Sequence, residues 1–330
     1  MGALDISDSV AEEIVINMIE KEYANKVINT LIPVIEDSAF RILNTEVKKL
    51  VDEYEEVCSL KPEKDKSLFV DDDIESILEQ TVSGEGLNWR LKCLNADIGT
   101  LKGGSLGHVF ARPDSGKTSF VASEATYMAG QLKEEDDCIL WINNEEKGEK
   151  VKLRTYQAVL NADTKAIVTN ITKARQLYQE RGGGKIKLYD SAMVSIRDIR
   201  KLIHQFKPKV VIIDQGDKVA FPRDGEYSQP DRLQRLYQMY RELAKEFNTD
   251  IITVGQASGE AEGKKWLQME YMNNSKTGKP GELDYAIGIG ASFAEDEQEL
   301  RFIHICKNKN GPHGKHTVLF DAPKARYKDV

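Results

Sequence analysis

Ala111-Arg112-Pro113-Asp114-Ser115-Gly116-Lys117-Thr118 is the stretch that decides how this 330-residue chain folds. It follows a short apolar run, His108 to Ala111, and leads into a helical pattern from Ser119 to Leu132. A phosphate-binding loop has the pattern Gly-x4-Gly-Lys-Ser/Thr, and only its first glycine is replaced here, by Ala111. In the setting strand, tight loop, helix, the loop N–H groups and the helix N-terminus point at phosphate oxygens. Lys117 then pairs with the terminal phosphates of a nucleoside triphosphate, ATP or another, and the Thr118 hydroxyl holds Mg2+. The expected nucleotide-binding residues are Ala111, Arg112, Pro113, Asp114, Ser115, Gly116, Lys117, Thr118 and Ser119.

Such a loop needs a carboxylate on a neighbouring buried strand to hold the metal's water shell. Val210-Val211-Ile212-Ile213-Asp214 supplies one, four apolar residues inside the sheet and an aspartate at its ligand edge. Thr118 and Asp214 are therefore the expected metal residues. A group that orients the attacking water is also required. Glu145 and Glu146 follow the run Cys138 to Asn143, and adjacent residues of an extended segment face opposite ways, so one of the two carboxylates points at the terminal phosphate. Gln256 ends the run Ile251 to Gln256 at the same edge and is placed to report the state of that phosphate.

Further runs of strand character are Ile186 to Asp190, Tyr285 to Ile289, Arg301 to Asn308 and His316 to Asp321. Helical stretches separate the first five strands, such as Ile196 to Phe206 and Asp231 to Phe247. This alternation predicts an α/β fold, a mostly parallel twisted sheet flanked by helices, with ligands at the carboxyl ends of its strands. Before it, residues 1–85 read as a small α-helical region and linker, with apolar residues at helical spacing through Ile14, Met18 and Ile19, then Val27, Leu31 and Val34, then Leu43, Val47 and Leu50. A short helix with Ile74, Ile77 and Leu78 inward precedes the hinge Ser83-Gly84-Glu85-Gly86. Two domains are thus expected, 1–85 and 86–330.

Charge divides at the same place. Residues 1–85 carry 8 basic and 21 acidic residues, the remainder 38 and 33, so the overall charge of −8 averages an acidic segment with a basic one. An anionic polymer responds to the local field, which leaves the second segment a candidate for nucleic acid. No apolar run reaches the ~18 residues of a membrane span, and Met1 to Ser9 lacks an export pattern, so a cytoplasmic protein with no membrane partner is expected. Four scattered cysteines make no disulfide framework.

Together these blocks resemble the DnaB-like family of ring-shaped replicative DNA helicases with a RecA-like core, in a phage-type member. The resemblance runs over residues 86–330. That family's phosphate loop commonly begins Ala-Arg-Pro, as here. Glu145 to Arg154 resembles the block that opens with the catalytic glutamate, which favours Glu145 over Glu146. Leu188-Tyr189-Asp190, the Asp214 strand, Leu243 to Phe247 with the strand to Gln256, and Lys307 to Gly314 follow in the family's order.

The resemblance implies an ATP-driven helicase, a hexameric ring moving 5′ to 3′ on single-stranded DNA in a bacterium or phage-infected cell, with a primase, polymerase or loader as partner. It implies an active site shared between subunits, completed by a C-terminal hairpin carrying a lysine and an arginine finger. The matching positions are Lys307 and Lys309, a lysine standing where the finger would be, and lysine lacks the planar fork of arginine. It implies DNA contacts from two loops, with Lys218 and Arg223 after Asp214, and Lys264, Lys265, Lys276, Thr277, Gly278 and Lys279 after Gln256. The same core would also serve a filament-forming recombinase or a nucleotide-controlled loading protein. The acidic N-terminal region lacks the family's usual helical domain and reads as a reduced collar or a docking surface.

Overall fold

The computed structural model describes residues 18, 21–30, 32, 49, 50, 54, 72–82, 85–222, 225, 227–273 and 278–330. The chain divides into two compact units, Met1–Ser76 and Ile77–Val330. In the first, residues 21–30 are helical. Most of the other apolar positions read as helical there, including Ile14, Ile19, Leu31, Val34, Leu43 and Val47, lie outside the described residues, as do Ser83 and Gly84 of the hinge and Arg223, Lys276 and Thr277.

Helix α1 (Ile74–Val82) corrects one expectation. Ile74 is 60% and Leu78 50% exposed, so these two do not face inward, while Ile77 is half-buried.

The second unit is built on a nine-stranded sheet among the described residues. In chain order its elements are α2 (Lys92–Asp97), β1 (Leu106–Ala111), α3 (Lys117–Ala129), β2 (Ile139–Asn143), α4 (Gly148–Leu160), α5 (Thr164–Thr169), α6 (Ile171–Glu180), β3 (Ile186–Asp190), α7 (Ile196–Phe206), β4 (Val210–Ile213), α8 (Gln229–Glu246), β5 (Asp250–Gln256), α9 (Gly278–Glu282), β6 (Tyr285–Gly290), β7 (Leu300–Asn308), β8 (Lys315–Asp321) and β9 (Arg326–Asp329). The strand order is β3-β2-β4-β5-β1-β6-β7-β8-β9. The first six are parallel and the last three form an antiparallel extension.

The apolar runs explain this sheet. In β4, Val210 and Ile212 pack into one core and Val211 and Ile213 into the other. β2 divides in the same way, Ile139 and Trp141 against Leu140 and Ile142. A strand covered on both faces has no polar side to show, and each buried Val or Ile contributes about 1.5–3 kcal/mol. The helices obey their own signals. Ser195 caps α7 in a reciprocal box with Asp198, and Ser228 caps α8 with Pro230 in its first turn.

Register then sets the order of groups along the ligand edge. β5 lies between β4 and β1, and Ala111 at the end of β1 is the register partner of Gln256 at the end of β5. Asp214 follows β4, its N–H donating to the Ile142 carbonyl at 2.9 Å. Glu145 follows β2, on the far side of β4.

Candidate functional site

The phosphate loop holds its shape by backbone conformation. Asp114 has φ 62°, and Gly116, which caps α3, has φ 90°. A Cβ on Gly116 would lie 2.7 Å from the Tyr327 hydroxyl and 2.8 Å from the Phe320 ring, so glycine is required there. Ala111 is not among the residues with positive φ. Alanine in the first position of the pattern therefore strains nothing.

Three residues from the antiparallel extension support the loop, and the sequence reading missed them. Arg301 Nε donates to the Ser115 carbonyl at 2.7 Å. The Tyr327 hydroxyl lies 3.3 Å from the Ser115 carbonyl and 3.2 Å from that of Gly116. Phe320 stacks on Tyr327 with ring centroids 4.8 Å apart, and the Arg301 guanidinium sits over Phe320. Arg112 turns away, donating to Glu262 at 2.7 Å and to the Ala257 carbonyl at 3.1 Å.

Around the loop is a cavity of about 480 Å3 lined by Lys117, Thr118, Glu145, Arg154 and Gln256 among others. Lys117 Nζ lies 3.4 Å from one Glu145 oxygen, and Gln256 Nε2 lies 3.4 Å from the other. Glu146 lines the same cavity but pairs with Arg154 at 2.9 Å. Burial pushes the Glu145 carboxyl up, but the Gln215 side chain and the charges of Lys117 and Lys218 outweigh it and leave it below the ordinary range. Asp214 is almost fully buried, and burial pushes its carboxyl up to about 6 despite the pull of Lys117. A buried carboxylate whose charge is opposed by the neighbouring Glu145 and Glu146 carboxylates is the oxygen-rich setting that a hard divalent cation fits.

The turn bearing Glu145 is itself fixed. Asn143 Nδ2 donates to the Glu146 carbonyl and to Asp190 Oδ1, both at 2.6 Å, and Asp190 Oδ2 accepts from the Gly148 N–H at 2.9 Å. A Cβ on Gly148 would meet Asp190 at 2.7 Å. Asn143 and Asp190 thus orient a carboxylate they do not touch. The sequence signal for Asn143 was its place at the end of a strand, and for Asp190 its place in the block Leu188-Tyr189-Asp190, with no role attached to either.

The hairpin lysines contact their own chain. Lys307 Nζ donates to the Pro280 carbonyl, and Lys309 Nζ lies 3.3 Å from Asp284. Of the loop lysines, Lys218 and Lys264 are exposed, while Lys265 pairs with Glu297 at 2.6 Å. Lys279 corrects an expectation. It is completely buried, with its ammonium against Asp217 and next to Gly255, and is not a surface cation that could meet DNA. Gly278 begins α9 beside it.

A family model described as an AAA domain matches residues 75–262. The chain belongs to the AAA domain family. The chain is 24% identical over 242 residues to the replicative DNA helicase DnaB of Mycoplasma genitalium, a match covering 66% of this chain and 51% of that protein. The chain spans about half the length of that relative. Two solved structures share the fold of the AAA chain. One, an isolated ATPase domain, matches with a TM-score of 0.66 at 17% identity, over 78% of this chain and 95% of that one. The other, a DnaB-like replicative helicase described together with its interactions with primase, matches with a TM-score of 0.65 at 16% identity, over 99% of this chain and 81% of that one. The relative and one of the two structures are DnaB-like helicases, the family the sequence resembles, and both structures share this chain's fold.

Among the described residues, no helix is long and apolar enough to cross a membrane.

Proposed function

We propose that the protein is an ATP-driven motor that moves along single-stranded DNA and unwinds duplex. The observation that carries this reading is the convergence of Lys117 and Gln256 on Glu145, one on each carboxylate oxygen, beside the buried Asp214. Lys117 neutralises the terminal phosphates, Glu145 orients and accepts a proton from the attacking water, and Gln256 senses whether the terminal phosphate is still attached. Thr118 and Asp214 would hold Mg2+, which supplies charge neutralisation on the phosphate oxygens.

Released from Gln256, the ionised Glu145 is free to face water. Its carboxyl lies below the ordinary range, so it is available as a base at neutral pH. Lys218 and Lys264, with Arg223, Lys265, Lys276, Thr277 and Gly278, are the DNA contacts in this reading. Lysines and backbone N–H groups track phosphates without regard to sequence, and such binding weakens with salt. Lys307 and Lys309 of one subunit complete the site of its neighbour in a hexameric ring moving 5′ to 3′, in the cytoplasm, with a primase, polymerase or loader as partner.

Phosphate release from Mg-ATP, measured with and without single-stranded DNA of several sequences, tests this. The reading requires turnover that rises with DNA of any sequence and loses that rise as salt increases. Turnover indifferent to DNA would contradict it. Electron microscopy of the assembled protein tests the ring, which an open filament would exclude.

A further inference from the structure

Lys279 and Asp217 belong to different segments that meet under the ligand edge. Asp217 lies in the 3-10 turn Gly216–Lys218, three residues after Asp214, and the turn is entered through Gln215 at φ 52°. Lys279 lies at the start of α9, one residue after Gly278 and three after Lys276. Its Nζ sits 2.8 and 3.0 Å from the two Asp217 oxygens. Tyr237 donates its hydroxyl to Asp217 at 2.8 Å and lays its ring under the ammonium at 4.8 Å.

The route of this side chain passes beneath the strand that ends in Gln256. Gly255 has no side chain, and a Cβ there would come within 3.5 Å of Lys279 Nζ and 2.7 Å of the His108 ring. The ammonium therefore touches the turn that follows one nucleotide-facing strand and the underside of the other. An apolar pair of similar volume would hold a fold as well or better. What an ion pair adds is direction: displacing Asp217 without Lys279 would pull two opposite charges apart in a buried setting, so the two segments shift together.

We propose that the Lys279–Asp217 ion pair is a crossbar coupling the turn after Asp214 to the start of α9, which makes Lys279 a positioning residue for DNA-stimulated hydrolysis instead of a contact to DNA. This rests on the reading of the protein as an ATPase stimulated by single-stranded DNA. Movement at Asp214 when the nucleotide changes is passed to the lysine-bearing segment, and occupation of that segment by DNA is passed back.

The test uses the full chain with Asp217→Asn and Lys279→Met combined, which removes both charges together, and Tyr237→Phe, which removes only one hydroxyl from Asp217. DNA-free ATP hydrolysis and oligo-dT affinity by fluorescence anisotropy are expected to stay near wild type. Stimulation by oligo-dT should fall by about 5- to 150-fold in the double variant, the ordinary range of a coupling between sites, and by a smaller factor in Tyr237→Phe. Hydrogen exchange in α9, residues 278–282, should respond to a non-hydrolysable Mg-nucleotide in wild type and not in the double variant. Full stimulation in either folded variant, or an unchanged exchange response in the double variant, would overturn the crossbar while leaving the ATPase reading standing. Wild type that ignores oligo-dT would overturn both.

Discussion

The Tyr327 hydroxyl lies 3.2 Å from the carbonyl oxygen of Gly116, tying the last strand of the chain to the loop that faces the nucleotide. The same hydroxyl reaches the Ser115 carbonyl, and the ring fills the space that any side chain at position 116 would need. Tyr327→Phe keeps the ring and removes the hydrogen bonds. The loss should lower thermal stability by about 1 kcal/mol, the net value of such a bond, and weaken nucleotide binding, since the loop carbonyls lose their anchor. Fluorescent-nucleotide titration alongside thermal melting checks both. Binding equal to wild type would show that the loop holds its shape without β9.

Glu145→Gln separates binding from chemistry. The amide preserves the shape and the contact to Gln256 but cannot accept a proton, so turnover should fall by about 10²- to 10⁴-fold. Nucleotide affinity should remain, because Lys117 and the loop N–H groups are untouched. Single-turnover hydrolysis and equilibrium binding read these two quantities separately.

Asp214→Asn should divide stability from activity. The buried carboxylate is held against its desolvation, visible in its rise to about 6. Replacing it with a neutral amide is expected to leave the melting temperature equal or higher while abolishing Mg2+-dependent turnover, the trade common at such sites. A Mg2+ titration of hydrolysis, with chelation of the metal as the control, measures the loss. A variant with an unchanged Mg2+ requirement would remove Asp214 from the metal role.

Glu124, buried in α3, gives stability a pH slope. Burial pushes its carboxyl up to about 7 against the opposing pull of Arg90, whose backbone N–H it accepts at 2.5 Å. Between its unfolded value near 4.5 and about 7, the folded chain binds more protons than the unfolded one. This contribution is therefore complete below about 4.5 and lost as pH rises through 7, about 3 kcal/mol in all. Glu124→Gln should flatten that part of the profile and raise stability at pH 8, as melting temperatures from pH 5 to 8 would reveal. An identical pH slope in the variant would contradict the assignment.

The parallel core was legible because strands buried on both faces must be written as unbroken apolar runs. Val210 to Ile213 admits no other placement beside a phosphate loop. β9 was not legible, since Arg326-Tyr327-Lys328-Asp329 has one apolar residue, and an edge strand with one covered face needs no more. Lys279 was misread for a related reason: a lysine in a polar stretch is ordinarily solvated, and only the space left by Gly255 and the charge of Asp217, distant in sequence, make its burial possible. Arg301 and Phe320 gave no sign of their role either, because support of the Ser115 carbonyl arises from the pairing of β7 with β8 and not from any local pattern.

Strand displacement from a forked duplex with a free 5′ tail, in Mg-ATP, comparing wild type with Lys117→Ala, decides whether the protein is a DNA-unwinding motor. Displacement by the assembled wild-type protein and none by the variant is the expected result. Wild type that hydrolyses ATP but releases no strand, or a Lys117→Ala variant that releases it equally well, would contradict it.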